Sequence, residues 1–233
     1  MEYLVWVRRQ LIELSSVPLA PKSRSNKTKR DTLLHALRQD VPPGYVMEFG
    51  VYRGSSINRI AAAFPDQTVY GFDSFEGFPQ DGRKDWQQDF SVKGILPDVA
   101  ENVELVPGYF EDSLPRFLST AVQGVAFAHI DCDIYSSTRT VLEGIGPYLQ
   151  TGSIIVFDEL IHYPGFLANE MLALYEFACD TGTTFEWVST RGGVLPLEEF
   201  LCGFSNLPTR MADFRALGLE QAAALRITSL GAG

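Results

Sequence analysis

The chain has 233 residues and a net charge of −10, with 45% of its residues hydrophobic and 21% charged. That balance predicts an ordinary soluble globular protein of one sizeable domain, with room for a small appendage. No apolar run approaches the ~18–20 residues of a membrane span, so no membrane partner is expected.

The charge is unevenly spread. Residues 1–30 carry seven basic side chains against two acidic ones, which leaves a body of net charge −15. Such a body argues against nucleic acid as a partner, because phosphate contacts need a basic footprint. The three cysteines, Cys132, Cys179 and Cys202, have no CxxC spacing. They argue against a disulfide framework or a zinc site and for a reducing compartment. The opening MEYLVWVRRQ puts Glu2 early and Arg8 and Arg9 late, the reverse of a secretory signal, so a cytoplasmic protein is expected.

Leu4, Val7, Leu11 and Leu14 fall on one face of a helix over 3–14. The basic stretch PKSRSNKTKR (21–30) reads as a solvated linker, with an anion-holding role as its sharper alternative. Asp31 is the candidate N-cap of a second short helix with Leu33, Leu34 and Leu37 on its apolar face, stopped by Pro42-Pro43. Residues 1–40 are thus expected to form a helical appendage on a main domain at 41–233. The appendage is a candidate wall of a site or a dimer contact.

From Tyr45 the pattern becomes short apolar runs alternating with helical periodicity. The runs are YVMEFG (45–50), TVYGFD (68–73), VELVPG (103–108), VAFAHID (125–131) and SIIVFDE (153–159). Being apolar at nearly every position, they suit parallel strands buried on both faces. Helices are expected at 54–64, 111–121, 136–149 and 165–179, and further strands at 184–189 and 223–229. Strand–helix alternation predicts an α/β fold, a doubly wound, mostly parallel seven-stranded sheet. The segment 75–102 is longer than a crossover needs and is a candidate substrate wall.

In such sheets ligands bind beyond the carboxyl ends of the strands, so each strand's last residues carry the functional signal. Strand one ends in a turn where Gly50 and Gly54 allow close approach and the next helix offers free N–H groups. Tight strand–helix packing explains the same glycines equally well. Strand two ends in Asp73, placed to accept ribose hydroxyls, or to cap the strand end. After strand three, Tyr109 or Phe110 is positioned to stack on a base, or to fill the core. Strands four and five end in Asp131 and in Asp158-Glu159. Converging carboxylates repel unless a cation holds them, and an all-oxygen set selects a hard ion, Mg²⁺ before Mn²⁺ or Ca²⁺. Helix capping is the plainer account of these acids. His162, in a loop three residues beyond Glu159, is a candidate base or a surface residue.

The motifs EFGVYRGSS, FDSFEGFP, VPGYFEDSLP, HIDCDIYSST and VFDEL resemble the macrocin O-methyltransferase family, within the class I S-adenosylmethionine-dependent methyltransferases. The resemblance covers roughly residues 44–178 and implies a Rossmann-like fold. It also implies methyl transfer from S-adenosylmethionine to a hydroxyl of a small molecule such as a sugar in natural-product biosynthesis. Glu48, Gly50, Gly54 and Ser55 would line the methionine end of that cofactor. Asp73, Ser74 and Phe110 would hold its nucleoside, with Asp131 alongside. Asp131, Asp158 and Glu159 match the family's metal ligands, with Mg²⁺ the implied ion, and Asp133 matches its general base. The chain departs from the family pattern at Cys132, where glycine is usual, and at Glu159, where aspartate is usual. Other readings stay open. One is a metal-independent methyltransferase; another is a cofactor-binding protein without turnover. A nicotinamide-dependent oxidoreductase is a third, weakened by the lack of GxGxxG in GVYRGSS. A homodimer is the default assembly.

Overall fold

β-Branched and aromatic side chains pack well on a pleated surface covered on both sides, and the apolar runs form strands accordingly. The computed structural model describes residues 1–20, 31–79, 90–163, 165–190, 193–202 and 221–231. Its strands are β1 (Tyr45–Phe49), β2 (Val69–Asp73), β3 (Val103–Pro107), β4 (Val125–Ile130), β5 (Leu149–Phe157), β6 (Thr184–Thr190) and β7 (Ala223–Ser229). They form one sheet in the order β3-β2-β1-β4-β5-β7-β6, in which β7 runs antiparallel to both its neighbours and the other pairs are parallel. Chain order reverses between β1 and β4. This is the switch point where an open α/β sheet leaves a crevice at its carboxyl edge.

Helices cover both faces. They are α1 (Glu2–Ser16), α2 (Thr32–Ala36), α3 (Ser55–Ala63), α4 (Phe110–Leu118), α5 (Tyr135–Ile145), α6 (Glu170–Thr181) and α7 (Leu197–Cys202). Met47, Phe49, Ile130 and Phe157 face one core, shared with Leu114, Val141, Leu174 and Phe200 from α4 to α7. Val46, Phe127, Ile154 and Val156 face the other, shared with Leu33 of α2 and with Ile57 and Ile60 of α3. The architecture is the expected Rossmann-like doubly wound sheet. Among the described residues no helix is long and apolar enough to cross a membrane.

Several boundaries differ from the expectation for local reasons. The helix expected over 136–149 ends at Ile145, because Gly146-Pro147 forms a short 3₁₀ turn and β5 already begins at Leu149. The helix expected from 165 starts at Glu170, since Gly165 takes a left-handed φ and a 3₁₀ turn, Phe166–Ala168, intervenes. Asp31 does cap α2, accepting from Leu34 N–H at 2.9 Å, but α2 stops at Ala36, short of the prolines. On α1 the buried face is Val7, Gln10, Leu11 and Leu14, while Leu4 stays 38% exposed. Gln10 takes the inward place because its Oε1 accepts from the Trp187 indole N–H at 3.1 Å. The basic stretch 21–30 lies outside the described residues, as do Trp86 and Cys202's side chain.

Candidate active site

Three backbone hydrogen bonds align the carboxyl edge of the sheet. Gly50 N–H donates to Phe72 O at 2.9 Å, Asp131 N–H to Phe49 O at 2.8 Å, and Asp158 N–H to Ile130 O at 3.0 Å. Each strand thus ends level with its neighbour, and Gly50, Asp131 and Asp158 stand side by side. Gly50 is required here. Its φ is +94°, and a Cβ would sit 1.9 Å from the Asp131 carbonyl oxygen. Gly50→Ala is therefore expected to cost about 2–4 kcal/mol, from roughly 1 for the strained backbone and 1–3 for overpacking. Urea unfolding should show the loss as a lower midpoint at unchanged slope.

Asp73 organises the turn after β1. Its Oδ2 accepts from Val51 N–H at 2.8 Å and Tyr52 N–H at 2.7 Å, and its Oδ1 from Phe75 N–H at 2.7 Å. A carboxylate has about four acceptor sites, so one remains, on Oδ1. The capping role weighed from sequence is what the structure displays, and a ribose would meet one acceptor rather than two. Ser74 Oγ donates to Gly77 O at 2.8 Å, and Ser55 is the exposed first residue of α3. Phe110 sits half-buried, edge-on to Phe49, with the exposed Tyr109 before it. Aromatic contacts bring the 75–102 segment back to this turn: Phe90 packs on Tyr52 at 5.5 Å and on Phe78 at 5.5 Å.

Glu48 and His129 are adjacent in the β1–β4 register and both buried, with Nδ1 to Oε1 at 2.7 Å. Burial pulls the imidazole down. The hydrogen bond and charge of Glu48, with Asp131 and Asp158 beyond, outweigh it and raise its pKa to about 9. A positive imidazolium therefore lies under the acidic edge. Glu48 is wholly buried in this pair, and its Oε2 has no hydrogen-bond partner among the described residues.

Above the imidazolium stand the acids. Packed surroundings raise Asp131 well above the usual carboxylate range, and the Asp158 charge raises it further, against relief from His129. Asp133 is raised by burial, by Asp131 and Glu159, and by a hydrogen bond to Glu159. One member of the cluster was not anticipated. Glu170, the first residue of α6, is wholly buried, and neither of its oxygens has a hydrogen-bond partner. Burial raises its pKa well above the usual range, followed by repulsion from Asp133, Glu159, Asp131 and Asp158.

Asp133 occupies a strained position. Its φ is +63°, and Ile134 N–H donates to Cys132 O at 2.7 Å across it. This is a γ-turn with its central residue in the left-handed region, a rare and costly conformation that aspartate tolerates better than most. The turn lifts Asp133 toward Glu159 and sends Cys132 into the core, where its Sγ lies 3.6 Å from Phe49 O. His162 is placed differently. It is wholly buried, its Nε2 accepts from Leu195 N–H at 3.1 Å, and its ring stacks on Phe200. Those contacts fasten the 194–200 segment and occupy the nitrogen a base would need.

The residues fit the two groups that the resemblance implies to different degrees. The partly exposed acids and Phe110 suit a nucleoside carrying a positive sulfonium and ammonium. For a metal, no three His, Cys, Asp or Glu side chains among the described residues stand ready as a cage. The donor chemistry still suits a hard cation, because every donor is oxygen and Glu170 carries two orphaned buried oxygens.

A family model described as a methyltransferase domain matches residues 47–160. Mycinamicin III 3''-O-methyltransferase of Micromonospora griseorubida is 31% identical over 153 residues, 53% of this chain and 58% of that protein. A rhamnosyl-tetracenomycin C 4'-O-methyltransferase of Streptomyces olivaceus is 29% identical over 144 residues, 52% of this chain and 54% of that protein. The chain thus spans little more than half the length of these curated relatives. The crystal structure of a calicheamicin methyltransferase superposes with a TM-score of 0.55 at 25% identity, over 95% of this chain and 91% of that one. The matched segment 47–160 runs from β1 to the end of β5 and holds the switch-point crevice, so this part of the chain is similar to a methyltransferase domain.

Proposed function

We propose that the protein methylates a hydroxyl of a sugar-bearing natural product. In this reading Asp133 is the general base, beside a divalent cation, Mg²⁺ first, held by Asp131, Asp158 and Glu159. One observation carries it: β4 and β5 end level with the β1 turn and bring four carboxylates to the switch-point crevice. The relatives named for methylating the 3''-oxygen of mycinamicin III and the 4'-oxygen of a rhamnosyl tetracenomycin support the acceptor class.

S-Adenosylmethionine supplies a methyl group on positive sulfur, ready for in-line displacement. A bound cation lowers the pKa of a hydroxyl that touches it. The chain's own residues do the rest. Gly50, Gly54 and Ser55 open the start of α3, whose free N–H groups attract the cofactor's carboxylate. Asp73 offers the ribose its remaining Oδ1 acceptor, with Ser74 beside it. Phe110 covers the base edge. The Asp131 and Asp158 carboxylates favour the positive end of the cofactor. Asp133 takes the hydroxyl proton on a carboxylate oxygen, and its hydrogen bond to Glu159 fixes its direction. Its raised pKa makes it a stronger base than a free carboxylate.

The test is incubation with isotopically labelled S-adenosylmethionine and Mg²⁺ against glycosides with free sugar hydroxyls, simple phenols and amines. Label on a sugar oxygen, located by mass spectrometry, is the expected result. Label confined to phenols or nitrogen would overturn the acceptor class.

A further inference from the structure

Helix α1 turns Val7, Gln10, Leu11 and Leu14 inward and leaves a second apolar row outside. Val5 is 64% exposed and Ile12 61%, and their seven-residue spacing puts them on one side of the helix, the side that also carries Arg8 and Ser15. That side borders a groove of about 240 Å³ between α1 and the 194–198 segment. Leu11, Val194, Leu195 and Leu197 line it, with Ile12 on its α1 wall, and Arg8 reaches across to Glu198 at 2.8 Å. Leu201 of α7, half exposed, continues the apolar surface one turn beyond Leu197.

Size and charge together select the occupant. Small-molecule sites usually run to ~300–1,000 Å³, whereas roughly 150 Å³ already holds a benzene. A groove of about 240 Å³ therefore suits one or two aliphatic side chains. The whole chain carries −10, yet residues 1–20 hold two basic and two acidic side chains and no net charge. Those charges pair locally, Arg8 with Glu198 at 2.8 Å and Arg9 with Glu13 at 3.8 Å. A second copy is repelled by acidic surface elsewhere and meets no net charge here. The matching ridge, Val5 and Ile12, stands beside the groove on the same helix. A two-fold axis lays each ridge against the other copy's groove, which is the self-complementarity an isologous contact needs. It also reverses the order of the Arg9–Glu13 edge in the facing copy, so arginine opposes glutamate at both ends.

We propose that the face of α1 around Val5 and Ile12, with its groove against the 194–198 segment, is a two-fold contact between two copies of this chain. The 15 residues of α1 span only about 22 Å, so the contact is small and association in the micromolar range is expected. Its effect reaches the carboxyl edge. Leu195, in the groove wall, donates its N–H to His162 Nε2, and His162 lies three residues past Glu159. A seated partner thus braces the loop that follows the β5 acids. The inference does not depend on methyl transfer, and its failure would leave the proposed function standing.

The experiment is sedimentation velocity of the full chain across the micromolar range at physiological salt. It compares wild type, Ile12→Asp, Val5→Asp and a control, Val122→Asp, in the exposed turn between α4 and β4. Wild type and the control are expected to dimerise alike, and the two α1 variants to associate roughly tenfold more weakly or not at all. Both α1 positions are exposed, so melting temperatures at low concentration should stay within a few degrees of wild type. A wild type that is monomeric throughout would overturn the inference, as would a dimer that both α1 variants retain. A monomeric wild type that pellets with phosphatidylcholine–phosphatidylserine vesicles would overturn it in favour of a membrane surface. A monomeric wild type whose Ile12→Asp variant shows a raised KM for a methylated glycoside would overturn it in favour of an acceptor subsite. Should Ile12→Asp not fold, weakened association in Val5→Asp supports the proposal and unchanged association overturns it.

Discussion

Replacing Asp133 by asparagine is expected to lower turnover by about 10²–10⁴-fold, the usual worth of a positioned general base, while S-adenosylhomocysteine affinity stays near wild type. Asparagine keeps the shape and tolerates the left-handed φ of +63°, so the γ-turn should survive. It removes one of the mutually repelling carboxyls, so the melting temperature should hold or rise. The competing assignment makes the opposite forecast. If His162 were the base, His162→Gln would abolish turnover. Its Nε2 instead accepts from Leu195 N–H and its ring stacks on Phe200, so that substitution should cost stability and spare chemistry. Equal rates for wild type and Asp133→Asn would remove the base assignment.

In chelator, the melting temperature is expected to fall as pH rises from 6 to 9, by on the order of 10 °C. The sign follows from two sets of groups. His129 is raised to about 9, so its stabilising charge is fully present below its unfolded value of 6.5 and is lost as pH climbs through 9. Asp131, Asp133 and Glu170 are raised by burial and by one another, so the folded protein holds protons that the unfolded chain has released. Raising the pH strips those protons and leaves repelling charges in the fold. Both sets push stability downward as pH rises. The histidine shift alone corresponds to about 3 kcal/mol, and ~2–4 °C per kcal/mol is usual for chains of this length. A divalent cation should flatten the profile, since it binds the deprotonated acids. A profile that is flat or rising in chelator would show that the acids do not repel one another in the folded protein.

Much of this was legible in the sequence because parallel strands buried on both faces must be apolar throughout. An acid directly after such a run stands out, and Asp73, Asp131 and Asp158 were found that way. The neighbouring of β4 and β5 followed from the doubly wound pattern, and the register then set their acids side by side. Four features were harder. The Glu48–His129 pair depends on the β1–β4 register, which no local pattern fixes. Asp73 reads as a nucleotide ligand from its spacing, yet its bonds go mainly to Val51, Tyr52 and Phe75 N–H groups. Only the geometry of the turn distinguishes those uses. Glu170 fell inside the helix expected over 165–179, and only the start of α6 at that residue makes it a first-turn acid. The signal that could have found it was its setting: a lone charge beside Met171 at the head of the apolar stretch MLALYEF, on the side that turns inward. His162 was placed in a loop from its neighbours, and the loop is real. Its burial depended on Phe200, 38 positions further along the chain.

The crevice at the ends of β1 and β4 is expected to bind S-adenosylmethionine. Calorimetric titration with S-adenosylmethionine and S-adenosylhomocysteine, with and without Mg²⁺, tests it most directly. Saturable micromolar binding of both is expected, weakened in Gly54→Val, which fills the turn at the start of α3. Absence of binding by either nucleoside, with a nicotinamide dinucleotide binding instead, would contradict it.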